Sequence, residues 1–395
     1  MFDRLGPPAA DALHAVMARY RADPRPEKMD LGVGVYRDET GASPVMRAVR
    51  EAERIRIERQ ETKAYQALAG DHDFITAMTD LVFGPDHPAV RQGRIAAIQG
   101  TGGTGSLRIA FELARLANPD TRLHLGLPTW PNHQGLAEAS GTPIVTHRYF
   151  DVAEGRIDWA AIEAAARGSG EGNLFLLHGP CHNPTGADLD PGQRAAIHAT
   201  LTEQGAVPLI DAAYYGLGDG LAEDLQLLRD AAVIAPRALI SVACSKSFGL
   251  YRERTGILFA VCERSAERDR VQGQMERISR TLVSMPPAHG AATVALVLTD
   301  PALRAMWKDE LAGMRARMLG LRAELAAMVN TAPMLRGVAE QRGIFKLLPL
   351  SPEQIERLAT DHAIHMAPSG RANLAGLKAG DAERFAWALQ QVAED

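Results

Sequence analysis

The sequence predicts an α/β fold in two parts. A large portion holds a mostly parallel, seven-stranded sheet covered by helices, and a smaller α+β portion is built from both chain ends. Three observations carry this. Short apolar runs alternate with helix-period segments between about residues 95 and 261, the pattern of linked βαβ units. A glycine-rich turn, Gly100-Thr-Gly-Gly-Thr-Gly105, is expected to join the first of these strands to a helix. Beyond Pro286-Pro287 the pattern changes to long helical segments and a short mixed tail. The expected division is an N-terminal arm and part of the smaller portion at 1–43, the large portion at 44–304, and the remainder at 305–395. A chain of 395 residues exceeds what one small core organises.

Taken in order, residues 11–23 form a short amphipathic helix ended by Pro24 and Pro26. Asp30-Leu-Gly-Val-Gly-Val-Tyr follows, with alternating glycines that let backbone approach a ligand. Helices are predicted at 45–60 and 72–83, with Tyr65 in the loop between them. Seven strands follow at 95–99, 122–127, 143–146, 173–178, 207–211, 239–244 and 256–261. Between them lie helices at 106–117, 158–167, 191–204 and 221–235. Helices at 288–298 and about 302–330 precede two short strands near 343–348 and 364–367. No internal repeat or low-complexity segment interrupts the series.

Composition narrows the function. Apolar residues make up 46% and charged residues 23%, as in soluble globular proteins. The net charge is −5 with both signs interspersed, so no basic block suits nucleic acid or a membrane surface. The first residues, Met1-Phe-Asp-Arg-Leu-Gly, lack the basic region and apolar core of a secretion signal. No apolar run approaches the roughly 18 residues of a membrane span. Cys181, Cys244 and Cys262 are odd in number and form no CxxC, which fits reduced thiols and a cytoplasmic location.

The chemistry gathers at strand ends, where sheets of this kind place their sites. Lys246 follows the apolar strand 239–244. Burial there lowers a lysine pKa and yields a neutral amine able to form a Schiff base with a carbonyl. Asp211 ends another strand and could serve a metal, a ribose hydroxyl or a ring nitrogen; no second acid or histidine at ligand spacing supports a metal. Tyr214 is three residues further on, and His178 ends the strand at 173–178. The stretch 100–105 fits the dinucleotide pattern GxGxxG, yet the next strand ends Leu125-Gly-Leu-Pro-Thr-Trp130 without the acid that holds a ribose. Its amides at Gly103 and Thr104 still open a helix and suit a phosphate, with Arg254 close behind Lys246 to reach it. A phosphate, a carbonyl, a basic ring nitrogen for Asp211 and a flat ring for Trp130 to stack on together describe pyridoxal 5′-phosphate.

Eight motifs occur in order: Leu31-Gly-Val-Gly-Val-Tyr-Arg-Asp-Glu-Thr-Gly41, Gly102-Gly-Thr-Gly105, Pro128-Thr-Trp-Pro-Asn-His133, His178-Gly-Pro-Cys-His-Asn-Pro-Thr-Gly186, Ser245-Lys246, Tyr251-Arg-Glu-Arg254, Pro286-Pro-Ala-His-Gly290 and Ser369-Gly-Arg-Ala-Asn-Leu-Ala-Gly376. From about residue 10 onward the chain resembles the class I aspartate and aromatic-amino-acid aminotransferases, pyridoxal-phosphate enzymes of fold-type I, and among them the bacterial aromatic enzymes. The resemblance implies that Lys246 holds the cofactor and shuttles a proton. It implies that Asp211, backed by His133, keeps the ring nitrogen protonated, and that Asn183 and Tyr214 hydrogen-bond the phenolic oxygen. Gly103, Thr104, Ser245 and Arg254 would hold the phosphate, and Trp130 the ring. Arg371 would bind the substrate carboxylate with Trp130, Asn183 and the backbone of Gly34. Tyr65 and Arg280 would cross to the other subunit's site, Tyr65 to its phosphate and Arg280 to a side-chain carboxylate, which makes the active form a homodimer with shared sites.

Several positions depart from the family pattern. Ala243 replaces a serine at the phosphate, removing a hydrogen bond that Ser245 could replace. Ala64, Tyr215, Val283 and Met285 are expected to make the pocket roomier and more apolar. The expected reaction moves an amino group between an aromatic amino acid, or aspartate, and 2-oxoglutarate. Arg280 favours the alternative of an aspartate aminotransferase narrow for dicarboxylates. A nicotinamide dehydrogenase would need the ribose acid that this chain lacks, and a non-catalytic relative would have lost Lys246, Asp211 or Asn183.

Overall fold

In the computed structural model, which describes residues 2–4, 6 and 12–393, seven strands form one sheet. In chain order they are β1 (Ile95–Thr101), β2 (Leu123–Leu127), β3 (Ile144–Arg148), β4 (Leu174–His178), β5 (Val207–Ala212), β6 (Ala238–Ala243) and β7 (Thr255–Val261). Across the sheet the order is β1-β7-β6-β5-β4-β2-β3. β7 runs antiparallel to both neighbours, and the other pairings are parallel. The sheet is therefore mostly parallel, as the sequence predicts.

β4 shows why its sequence reads as nearly continuous apolar. Phe175 and Leu177 join the core cluster on one face, while Leu174 and Leu176 join the cluster on the other. Side chains alternate across a strand, so a strand with helices on both faces must be apolar at every position. Each such buried side chain contributes roughly 1.5–3 kcal/mol.

Most predicted helices form within a residue or two of their expected bounds. The first is Ala12–Ala22; its predicted start at residue 11 lies outside the described residues. The long helix runs Pro301–Ala327, starting on Asp300, whose carboxylate accepts from the amides of Ala302 and Leu303. Five helices were not anticipated: Pro88–Arg91, Asn132–Ala139, Pro352–His362, Asp381–Ala393 and the long Ser265–Val283. The last buries little beyond Met275, Ile278 and Ser279, so its apolar stripe is too thin to stand out among its charges. The stretch 100–105 is not a turn: β1 continues through Gly100 to Thr101, and the helix Gly102–Ala117 begins at once.

At the N-terminal side, Met29–Asp30 pairs in parallel with Ile364–His365. Phe345–Leu347 pairs with Arg371–Asn373. Arg322, on the long helix and only 1% exposed, fastens this region. Its guanidinium donates to the carbonyls of Val338, Arg342, Gly343 and Phe345 at 3.2, 3.0, 2.9 and 2.7 Å. Burial pushes its pKa down to about 10. The amide of Arg342 donates to Gly186 O at 2.7 Å, tying the turn that holds Asn183 to the same cage.

Candidate active site

The strand ends align His178, Asp211 and Ser241 side by side across β4, β5 and β6. Above them is a cavity of about 300 Å³. It gathers Gly34, Gly103, Thr104, Trp130, Asn183, Asp211, Tyr214, Ser245, Lys246, Arg254 and Arg371 from segments far apart in sequence. His133 is fully buried just behind it. A larger cavity of about 640 Å³, at the opposite end of the strands, contains none of these residues.

Lys246 reaches the cavity just past β6, its Nζ 4.8 Å from the centre of the Tyr214 ring. Burial lowers its pKa to about 8, against the opposing pull of Asp211 and with help from the positive charges of Arg254 and Arg371. Its amine is thus neutral far more readily than a surface lysine's.

Asp211 is held from behind. His133 Nε2 donates to Asp211 Oδ2 at 3.0 Å, and the Thr129 hydroxyl lies 2.8 Å from His133 Nδ1 and 3.0 Å from His178 Nε2. Burial by itself would raise the Asp211 pKa; the His133 hydrogen bond and the nearby Lys246 outweigh it, and the pKa falls below its usual value. The cavity therefore presents an ionised carboxylate fixed in orientation.

The helix Gly102–Ala117 opens at the cavity with the amides of Gly103 and Thr104. Gly102 has φ +69°, and a Cβ there would lie 2.7 Å from Arg254 Nη2, so only glycine lets the guanidinium rest on the helix start. Ala243 lines the same corner, with Ser245 nearby as a hydroxyl. At the other wall a Cβ on Gly34 would meet Phe345 Cζ at 2.9 Å. Arg371 lies over the Phe345 ring at 4.5 Å and donates to Gly32 O at 3.0 Å and to Asn183 Oδ1 at 3.3 Å. Its Nε is buried with no acceptor. Arg371 lines the cavity, and the guanidinium N–H groups not used in these bonds offer a place for a ligand anion. The donors fit a phosphorylated aromatic aldehyde: helix amides and Arg254 for phosphate, Lys246 for the aldehyde, Asp211 for a ring nitrogen.

Two expected site residues are not in this chain's cavity. Tyr65 is 91% exposed, and Arg280 is exposed on the last turn of Ser265–Val283. Ala64, Val283 and Met285 are likewise outside it; Met285 Sδ accepts from the Gln66 amide at 2.9 Å. Tyr215 is corrected outright. It is fully buried in the core and its carbonyl accepts from Ser247 Oγ at 2.7 Å, so it does not widen the pocket. Both tyrosines lie in the bend just past β5, and only Tyr214 takes the cavity side. Thr129 and Phe345 escaped the sequence reading: a threonine in a Pro-Thr-Trp loop and a phenylalanine in an apolar run carry no chemical signal of their own.

The buried histidines behind the cavity set a pH limit on stability. Burial pushes His178 down to about 3, His198 down to about 4, and His182 well below its usual value. Each binds a proton near pH 6.5 when unfolded and refuses it when folded, so stability is lost as pH falls below 6.5. Asp188, which burial raises to about 6, opposes this between pH 6 and its unfolded value. The three histidines outweigh this one carboxyl, so stability should fall as pH drops from 6.5 towards 5. Urea midpoints measured from pH 7 to 4.5 should fall accordingly; a flat profile would contradict the neutral assignment of these histidines.

Such a pocket belongs to enzymes that handle amino groups through an aldehyde cofactor. Residues 26–389 match the family model for aminotransferase class I and II, and the chain belongs to that family. It is 45% identical over 388 residues to the tyrosine aminotransferase of Rhizobium meliloti (strain 1021), covering 98% of each chain. It is 44% identical to the aromatic-amino-acid aminotransferase of Paracoccus denitrificans, covering 99% of this chain and 100% of that one. Among solved structures it is similar to an aromatic-amino-acid aminotransferase from Burkholderia pseudomallei covalently bound to pyridoxal phosphate, with TM-score 0.96, 34% identity and 99% of both chains covered.

Proposed function

We propose that this chain is a pyridoxal-phosphate transaminase moving the amino group of an aromatic amino acid, and also of aspartate, to 2-oxoglutarate. The observation that carries the reading is Lys246 sharing one cavity with a histidine-backed Asp211 and with Arg371, whose buried Nε lacks a partner. The named relatives support the aromatic substrate class. Bound there, pyridoxal phosphate supplies an aldehyde for an amine and a cationic ring that takes up the electron pair left at the substrate Cα.

The chain's own residues do the rest. Gly103, Thr104, Ser245 and Arg254 hold the phosphate, and Trp130 covers the ring. Asp211, oriented by His133, holds a proton at the ring nitrogen. Asn183 and Tyr214 hydrogen-bond the phenolic oxygen. Arg371 binds the substrate α-carboxylate through a bidentate fork, with Asn183, Trp130 and the Gly34 backbone beside it. Lys246 holds the cofactor and then takes the Cα proton as general base, a task suited to an amine with pKa near 8.

The working unit is a homodimer in which Tyr65 and Arg280 complete the partner's site. In its support, Ile57, Tyr65, Leu282 and Val283 are all exposed on this chain at 74%, 91%, 37% and 41%. We divide the chain at residues 44 and 304, and the pairing of Met29–Asp30 with Ile364–His365 supports grouping the two ends. Among the described residues no helix is long and apolar enough to cross a membrane. Three buried free thiols agree with a cytoplasmic setting.

Steady-state kinetics of Arg280→Leu test the dual specificity. The kcat/KM for aspartate should fall by about 10²-fold or more, the worth of a charge-assisted pair, and that for phenylalanine by less than about tenfold. Equal losses would mean that Arg280 does not read the side-chain carboxylate.

A further inference from the structure

The long helix Pro301–Ala327 has a face that the catalytic cavity does not use. Arg304, Lys308, Leu311 and Arg315 follow one another at i, i+4, i+7 and i+11 and so form one stripe. This stripe walls a second cavity of about 300 Å³, closed on other sides by the helix Leu221–Ile234, the end of the helix His72–Val82, and Gly216. Arg229 adds a fourth cation. Its N–H groups donate to the carbonyls of Val82 and Leu81 at 2.8 and 3.2 Å, which fixes its charge at the wall without neutralising it.

Little balances this charge. Asp80 is the carboxylate in the lining, and it is exposed. Glu223 approaches Arg315 around Gly220 without pairing with it. Arg304, Lys308 and Arg315 have no ion pair or side-chain hydrogen bond among the described residues. Arg304 Nε is also sealed from solvent with no acceptor. Four positive charges around one small cavity repel one another, and an anion bound among them relieves that repulsion. The volume suits a small molecule, and guanidinium forks match planar or tetrahedral oxyanions.

We propose that this cavity is an anion site, separate from the catalytic pocket, for a small oxyanion bearing two or more charges. None of its lining residues is shared with the cavity around Lys246. Leu81, Leu225 and Leu311 give it an apolar side, so the anion can carry a short organic body. Phosphate and polycarboxylate groups share this chemistry.

Calorimetric titration of the holoenzyme with inorganic pyrophosphate, and separately with tricarballylate, tests it. One saturable site per chain is expected for at least one of the two probes, and the tighter one identifies the source. Lys308→Glu, at an exposed position that the fold does not depend on, should weaken binding by about tenfold or more, and Arg304→Gln combined with Arg315→Gln should abolish it. Arg371→Leu should leave it unchanged. Absence of saturable binding of either probe, equal affinity in Lys308→Glu, or loss in Arg371→Leu would each overturn the proposal, the last by assigning the anion to the catalytic pocket.

Discussion

Lys246→Ala should lower transamination by about 10⁴-fold or more while leaving the fold intact. The amine is both the point of cofactor attachment and the general base at Cα, and no other group replaces it. Tyr214, whose ring is 4.8 Å from Nζ, is pushed above its ordinary pKa by burial and stays protonated. General base catalysis alone supplies about 10²–10⁴-fold, and loss of the covalent anchor adds to it. Stability should not suffer, because removing a desolvated amine also removes its burial cost. Circular dichroism and a thermal scan check the fold, and initial rates with phenylalanine and 2-oxoglutarate check the chemistry. A variant retaining a hundredth of wild-type activity would mean that the base lies elsewhere.

Arg371→Leu should raise KM for every amino-acid substrate and lower kcat/KM by about 10²–10⁴-fold. Two charge-assisted hydrogen bonds to a carboxylate are worth roughly 1.5–3 kcal/mol each. The loss should be the same for phenylalanine and aspartate, since both carry the α-carboxylate. This separates Arg371 from Arg280, whose loss should discriminate between them. Part of the effect will come from Asn183, which loses the 3.3 Å contact from Arg371. Leucine can still pack on Phe345, so cofactor affinity should hold. A decrease confined to aspartate would place Arg371 at the side-chain carboxylate instead.

The parts legible in the sequence were those in which local pattern and chemistry coincide. Lys246 and Asp211 stand out because charged residues at the ends of apolar strands need a reason to be there. β4 through β7 were legible because strands buried on both faces have few polar interruptions. The stretch 100–105 misled because its glycines indicate a turn by composition, whereas they serve close packing at a direct strand-to-helix junction. Tyr215 misled because sequence does not reveal which of two neighbouring tyrosines faces the cavity. Thr129 could not be singled out at all. Its importance is positional, a hydroxyl between two histidines brought together from residues 133 and 178. Ser265–Val283 was hidden by its charge, since a helix with a narrow buried stripe looks like a solvated segment.

A half-reaction tests the central claim most directly. Purified holoenzyme is mixed with phenylalanine, and separately with aspartate, without any keto acid, while the visible absorbance of the bound cofactor is followed. The account predicts that both amino acids bleach the visible band, phenylalanine faster at equal concentration, and that 2-oxoglutarate restores it. A protein without a visible band, or with a band that neither amino acid changes, would contradict the assignment of Lys246 and its cavity to amino-group transfer.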